Sequence, residues 1–218
     1  MKYMDVKDLF KKIEDYENKD VVLEGWVRNF GFIDFNDGTY FQNLQLVYDK
    51  ELSNFDMISK IRVGSAIRVN GTIIKSEGSG QSHEMKVKNI EILGDCPEDY
   101  PIQPKRHTRE FLRELAYLRP RTNLFNAVFR VRSVAAHAIH EYFQSNNYVY
   151  FHSPIITGAD CEGSGQMFKV TTLDMNNLPL GEDKKVDFKK DLFGKQTYIT
   201  GSGQLHGETF ALAYKKIY

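Results

Sequence analysis

Val21-Val22-Leu23-Glu24-Gly25-Trp26-Val27-Arg28, then Gly31-Phe32-Ile33-Asp34-Phe35 and Asn36-Asp37-Gly38, decide the first half of the fold. The β-branched and aromatic residues predict two strands, and the Asn-Asp-Gly run predicts a tight hairpin turn between the second and a third. Outward from there, Val6 to Ile13 has the apolar spacing of a short amphipathic helix. Thr39 to Tyr48 predicts the third strand, Glu51 to Ile61 a short helix, Ser65 to Lys75 a fourth strand and Glu84 to Leu93 a fifth. Ser76-Glu77-Gly78-Ser79-Gly80-Gln81-Ser82, between the last two, has the composition of a flexible loop. Five strands with a helix before the fourth is the order of an OB-fold barrel, a scaffold that binds oligonucleotides on one face.

The remainder reads differently. Pro97, Pro101 and Pro104 stiffen a hinge, followed by a short helix from Glu110 to Leu118 and a break at Leu118-Arg119-Pro120-Arg121-Thr122-Asn123. Phe125, Val128, Phe129, Val131, Ala135, Ala138, Ile139 and Tyr142 then recur at helical spacing and predict a long helix with a broad apolar face. Asn146-Asn147 ends it, and Tyr148 to Ile156 predicts a strand carrying Pro154. A polar insertion from about Asp174 to Asp191 precedes a strand, Gln196 to Thr200, that runs into Ser202-Gly203-Gln204-Leu205.

Composition bounds the class. Lys plus Arg and Asp plus Glu both number 29, so no global field announces a polyanionic partner. Cys96 and Cys161 are far apart and form no metal-like spacing, and no secretory or membrane-spanning apolar run is present. The expectation is a soluble, cytoplasmic protein without a metal site of its own.

Three groups of residues carry the chemistry. Phe32, Phe35, Tyr40, Phe41 and Gln45 lie on barrel strands, where exposed rings stack bases and amides read their edges. By alternation Phe32 faces out if Ile33 fills the core, but each ring taken alone is more readily a core residue. Lys105, Arg106, Arg109, Arg113, Arg119 and Arg121 make the hinge basic, for RNA phosphates or as a solvated helix face. Asp160-Cys161-Glu162-Gly163-Ser164-Gly165-Gln166-Met167-Phe168 is a glycine-rich loop with one acid. It suits a lid over an ammonium group, or an ordinary surface turn.

Taken with Ser202-Gly203-Gln204-Leu205-His206-Gly207-Glu208, that loop resembles the amino-acid pocket of the asparaginyl-tRNA synthetases. These are class II aminoacyl-tRNA synthetases of the aspartyl, asparaginyl and lysyl subgroup. The long helix and Tyr148 to Ile156 are similar to the family's motif 1. The resemblance implies an α+β chain: a five-stranded OB-fold anticodon-binding domain at 1–98, a hinge at 99–123, and at 124–218 the first part of an antiparallel-sheet catalytic domain. It also implies that Phe32 stacks on the central anticodon uridine, that Gln45 reads that base's edge and that Arg28 assists. Glu162 pairs with the substrate ammonium, Ser202 and Gln204 hold its amide and backbone groups, and Glu208 tunes the pocket. Pro154 lies at a homodimer interface, and no side chain acts as a nucleophile.

The implied activity is attachment of asparagine to tRNA-Asn through asparaginyl-adenylate, with ATP and Mg²⁺. Aspartyl relatives carry Ser-Pro-Gln-Leu and, two residues on, a lysine that balances the aspartate carboxylate; here that position is Gly207. Asparagine and aspartate are nearly isosteric, so the site must separate amide from acid by hydrogen bonding and charge. The family's ATP-binding arginine motifs, 2 and 3, do not occur within these residues, so the expectation is that this polypeptide alone is inactive. Two other readings stand beside this one: an aspartyl-tRNA synthetase, including one that charges both tRNAs, and a non-catalytic OB-fold nucleic-acid-binding protein.

Overall fold

A computed structural model describes residues 4–29, 33–78, 80–161, 163 and 166–218 of the chain. It divides into two compact units, one up to Arg132 and one from Ser133.

In the first unit, β1 (Asp20–Asn29), β2 (Ile33–Asn36), β3 (Leu44–Val47), β4 (Ala66–Lys75) and β5 (His83–Gly94) form a closed barrel in the order β1-β2-β3-β5-β4. Alternate residues of β1 point inward, so Leu23 and Val27 meet Ile33, Phe35, Leu46 and Ile67 in a core from which solvent is excluded. α1 (Val6–Lys11) plugs this core with Val6 and Leu9, and α2 (Phe55–Ile58), inserted between β3 and β4, adds Ile58. The five-stranded barrel expected from the sequence is therefore present.

One turn differs. The third strand begins at Leu44 instead of Thr39, and a longer loop replaces the tight hairpin. Buried Asn36 organises that loop: its Nδ2 donates to the carbonyls of Tyr40 (3.1 Å) and Gln42 (3.3 Å), and its Oδ1 accepts from the Gly38 amide (2.7 Å). Asp37 accepts from the Thr39 amide at 2.9 Å and from the Val6 amide at 2.7 Å, which ties the loop to α1. Side-chain bonds to the backbone outcompete ladder pairing here. A second cluster packs Cys96, Tyr100, Ile102, Leu112 and Leu118 around α3 (Arg109–Glu114), whose amide at Phe111 is capped by Thr108 Oγ1. α3 stops short of the expected Leu118; a separate 3₁₀ turn, Arg119–Arg121, contains the proline.

α4 (Asn123–Ser145) continues into the second unit and ends where Asn147 takes φ +62°. β6 (Ile156–Thr157), β7 (Lys169–Val170) and β8 (Thr197–Ile199) form an antiparallel sheet in the order β6-β8-β7, and α5 (Gln204–Tyr214) follows. The sequence reading missed α5. The strand expected over Tyr148 to Ile156 is interrupted as well. Its first part bonds to the segment after α5, Val149 N–H to the Lys216 carbonyl (2.9 Å) and Tyr218 N–H to the Val149 carbonyl (3.1 Å). Only Ile156 enters the sheet, because Pro154 has no N–H to continue a ladder.

The polar insertion is pinned at its end by Asp191, which is buried although the sequence suggests an exposed segment. Asp191 Oδ1 accepts from the Thr172 amide (2.9 Å), the Thr172 hydroxyl (3.0 Å) and the Leu192 amide (2.8 Å). These bonds, the Thr172 amide foremost, together with the Thr171 hydroxyl hold its pKa at about 2. A carboxyl depressed in the folded state stabilises it above its unfolded pKa, about 3.9, and that contribution fades as pH falls towards 2. The melting temperature is expected to drop between about pH 4 and pH 2, and Asp191→Asn should flatten that drop; an equal drop in both proteins would contradict the assignment.

Candidate functional sites

The first site is the outer face of the barrel. β1, β2 and β3 pair so that Asp34 lies opposite both Asn29 and Gln45, while Ile33, Phe35, Leu44 and Leu46 point inward. Phe35 is thus a core residue, and Tyr40 stacks on Phe10 at 5.1 Å; Phe41 is exposed. Phe32 lies outside the described residues. The register of β1 against β2 slips between Val27 and Asn29, and the extra residue is Arg28. A bulge re-aims the side chain it carries. The Arg28 guanidinium lies 5.6 Å from the Trp26 ring centroid and lines a cleft of about 570 Å³ with Asp34, Asn43, Lys105 and Arg121. Burial draws the Arg28 pKa down and pushes that of Asp34 up. The cleft thus brings sequence-predicted Arg28 together with hinge residues.

Gln45, half-buried on this face, is bonded to the β4–β5 loop. Gln81 Nε2 donates to Gln45 Oε1 at 2.6 Å and to Glu84 Oε2 at 3.2 Å, and Ser76 Oγ donates to the same Glu84 oxygen at 2.8 Å. The sequence reading passed over Gln81, Glu84, Asp34 and Asn43. Strand alternation was the available signal for Asp34; nothing local marks Gln81, because its role depends on pairing across the barrel.

The second site is the turn between β8 and α5. Thr200 Oγ1 donates to the Ser202 carbonyl at 2.6 Å, and Cys161 Sγ lies 3.6 Å from the same oxygen. The structure therefore brings Cys161 to the Ser202 turn. Ser202 Oγ accepts from the Gln204 amide at 3.1 Å, which leaves its hydroxyl proton free to donate. Gln204 opens α5, and its Nε2 donates to Glu208 Oε1 at 2.9 Å, one helical turn on. Glu162 lies outside the described residues. Gly203 and Gly207 both permit close packing. A Cβ at Gly203 would come within 2.7 Å of Ser153 Oγ, and one at Gly207 within 3.3 Å of the Phe151 ring. Gly207 thus has a packing reason to lack a side chain as well as the charge argument. Pro154 is exposed. Among the described residues no three His, Cys, Asp or Glu side chains converge as a metal site, and no helix is long and apolar enough to cross a membrane.

Residues 21–93 match the OB-fold nucleic acid binding domain, and residues 108–218 match the model of tRNA synthetases class II (D, K and N). The chain belongs to the class II tRNA synthetases of the D, K and N group. Within it, the chain is 51% identical to the asparagine–tRNA ligase of Alkaliphilus metalliredigens, across all of this chain and 48% of that protein. It is 53% identical to that of Acetivibrio thermocellus, again over 48% of the relative. The chain therefore spans about half the length of these relatives. In fold it resembles the asparaginyl-tRNA synthetase of Pyrococcus horikoshii, solved with asparaginyl-adenylate: TM-score 0.75 at 22% identity, over 100% of this chain and 46% of that one. The α+β architecture of a synthetase with an N-terminal barrel is thereby established for this chain.

Proposed function

We propose that this chain supplies the anticodon-reading barrel and the amino-acid pocket of an asparagine–tRNA ligase, at home in the cytoplasm. The division at 1–98, 99–123 and 124–218 is retained as the functional one. The overall reaction joins asparagine to ATP through attack of its α-carboxylate on the α-phosphate. Pyrophosphate leaves, and the acyl group then passes to a terminal ribose hydroxyl of tRNA-Asn. No protein nucleophile is required; positioning and charge stabilisation carry the chemistry. ATP and Mg²⁺ are the implied co-substrate and ion, and no ligand for either is assigned to these residues.

The observation that carries the reading is the Gln204–Glu208 bond. A carboxylate only accepts, so Glu208 turns the Gln204 amino group towards itself and leaves Gln204 Oε1 facing outward as an acceptor. An asparagine side chain can donate an N–H to that oxygen; an aspartate carboxylate cannot. Glu208 adds a like charge that opposes the acid. Glu162 is assigned to the substrate ammonium and Ser202 to a second hydrogen bond with the substrate. In the barrel, Phe32, Gln45 and Arg28 take the anticodon.

The barrel half of the proposal is tested by RNA binding. The chain should bind a stem-loop with anticodon GUU more tightly than one with GUC, the aspartate anticodon, by roughly 5- to 100-fold, the range of one base mismatch. Equal affinity for GUU and GUC would favour an enzyme reading both tRNAs. Indifference to any loop sequence would favour a non-catalytic binding module.

A further inference from the structure

Gln81 is held by two acceptors at once, Glu84 Oε2 at 3.2 Å and Gln45 Oε1 at 2.6 Å. The direction of these bonds is fixed by chemistry. Glu84 as a carboxylate has no hydrogen to give, so the amide of Gln81 must present its amino group. The second hydrogen of that group meets Gln45, which must answer with its oxygen. The amide of Gln45 is planar, so seating its oxygen on Gln81 turns its own amino group away. Among the described residues that amino group meets no acceptor. Ser76 Oγ, at 2.8 Å from the same Glu84 oxygen, anchors the carboxylate at which the relay begins.

We infer that Gln81 is a positioning residue for base recognition: through the Ser76–Glu84–Gln81 relay it locks Gln45 as a hydrogen-bond donor. A donor selects a base whose edge carries a carbonyl acceptor at the contacted position and rejects one that carries an amine there. Uridine, with its O4, is such a base; cytidine, with its N4 amino group at the same place, is the one rejected. Without the relay Gln45 can flip its amide and greet either. The selectivity for uridine thus resides in a loop residue that need not touch the base. This inference rests on the proposal that Gln45 reads a base.

The test uses the full chain and two stem-loops that differ only at the central anticodon base, GUU and GCU, with the ratio of affinities as the readout. Nonspecific charge effects act on both RNAs alike and cancel in that ratio. The unsubstituted chain should favour GUU by roughly tenfold, the scale of one specific base contact. Gln81→Leu, which neither donates nor accepts, should bring the ratio to within about twofold of unity on the same scale. Gln81→Lys, a donor only, should restore the preference for GUU. Gln81→Glu, an acceptor only, should pull the Gln45 amino group towards itself and shift the preference to GCU. A merely structural role for Gln81 would weaken both RNAs together and would not reverse the order. A selective parent whose ratio is unchanged in the leucine and glutamate variants overturns the role of Gln81 alone. A parent indifferent to the central base overturns the reading on which it rests.

Discussion

Replacing Gln204 by leucine is expected to cut asparagine-dependent ATP–pyrophosphate exchange by roughly 10²- to 10⁴-fold in the protein that carries this chain, with little change in melting temperature. The scale is that of a site built around a substrate's own hydrogen bonds and deprived of one of them. The melting temperature should hold because Gln204 is exposed at the first position of α5, leucine is a good helix former, and solvent can take over the freed Glu208 carboxylate. Glu208→Ala separates orientation from contact. It leaves the Gln204 amide in place but removes the bond at 2.9 Å that fixes which end faces the substrate. Its effect should fall more on the ratio of asparagine to aspartate than on the asparagine rate. A Gln204→Leu protein that activates asparagine normally would remove Gln204 from the pocket.

The second large effect concerns α4. Leu124, Val128, Val131, Val134, Ile139 and Tyr142 stand exposed along it, Val131 and Val134 at 68% and 69% of their maximum. No residue of the helix is buried. A helix with an uncovered apolar stripe seeks a partner. We assign that partner to a second copy of the chain, so that α4 and the segment through Pro154 build a homodimer interface. The chain should sediment as a dimer, and Val131→Asp together with Val134→Asp should convert it to a monomer at micromolar concentration. Two desolvated carboxylates from each protomer at the centre of such an interface, with no cation opposite, would weaken it by several kcal/mol. A monomeric parent at high concentration would contradict the assignment.

The barrel was legible because its signals are local. The alternation through Val21 to Arg28, the helix before the fourth strand and the glycine-rich loop before the fifth all follow from short-range chemistry. The extent of the loop after Asn36 was not legible, because a buried asparagine side chain replaces the hairpin ladder there. α5 was missed because a segment interrupted by Gly207 reads as a turn, whereas that glycine sits against the Phe151 ring. The strand at Tyr148 to Ile156 was drawn too long across Pro154. For the sites, the family resemblance singled out Gln45, Ser202, Gln204 and Glu208. Their hydrogen-bonded orientation, set by Gln81 in one case and Glu208 in the other, depends on geometry that spacing alone does not encode.

Amino-acid activation by the protein carrying this chain, assayed side by side with asparagine and with aspartate at neutral pH, bears most directly on the neutral pocket. An outward-facing acceptor on Gln204 beside the Glu208 carboxylate predicts exchange with asparagine and a rate with aspartate lower by about 10³-fold or more. Comparable rates with the two amino acids would contradict it.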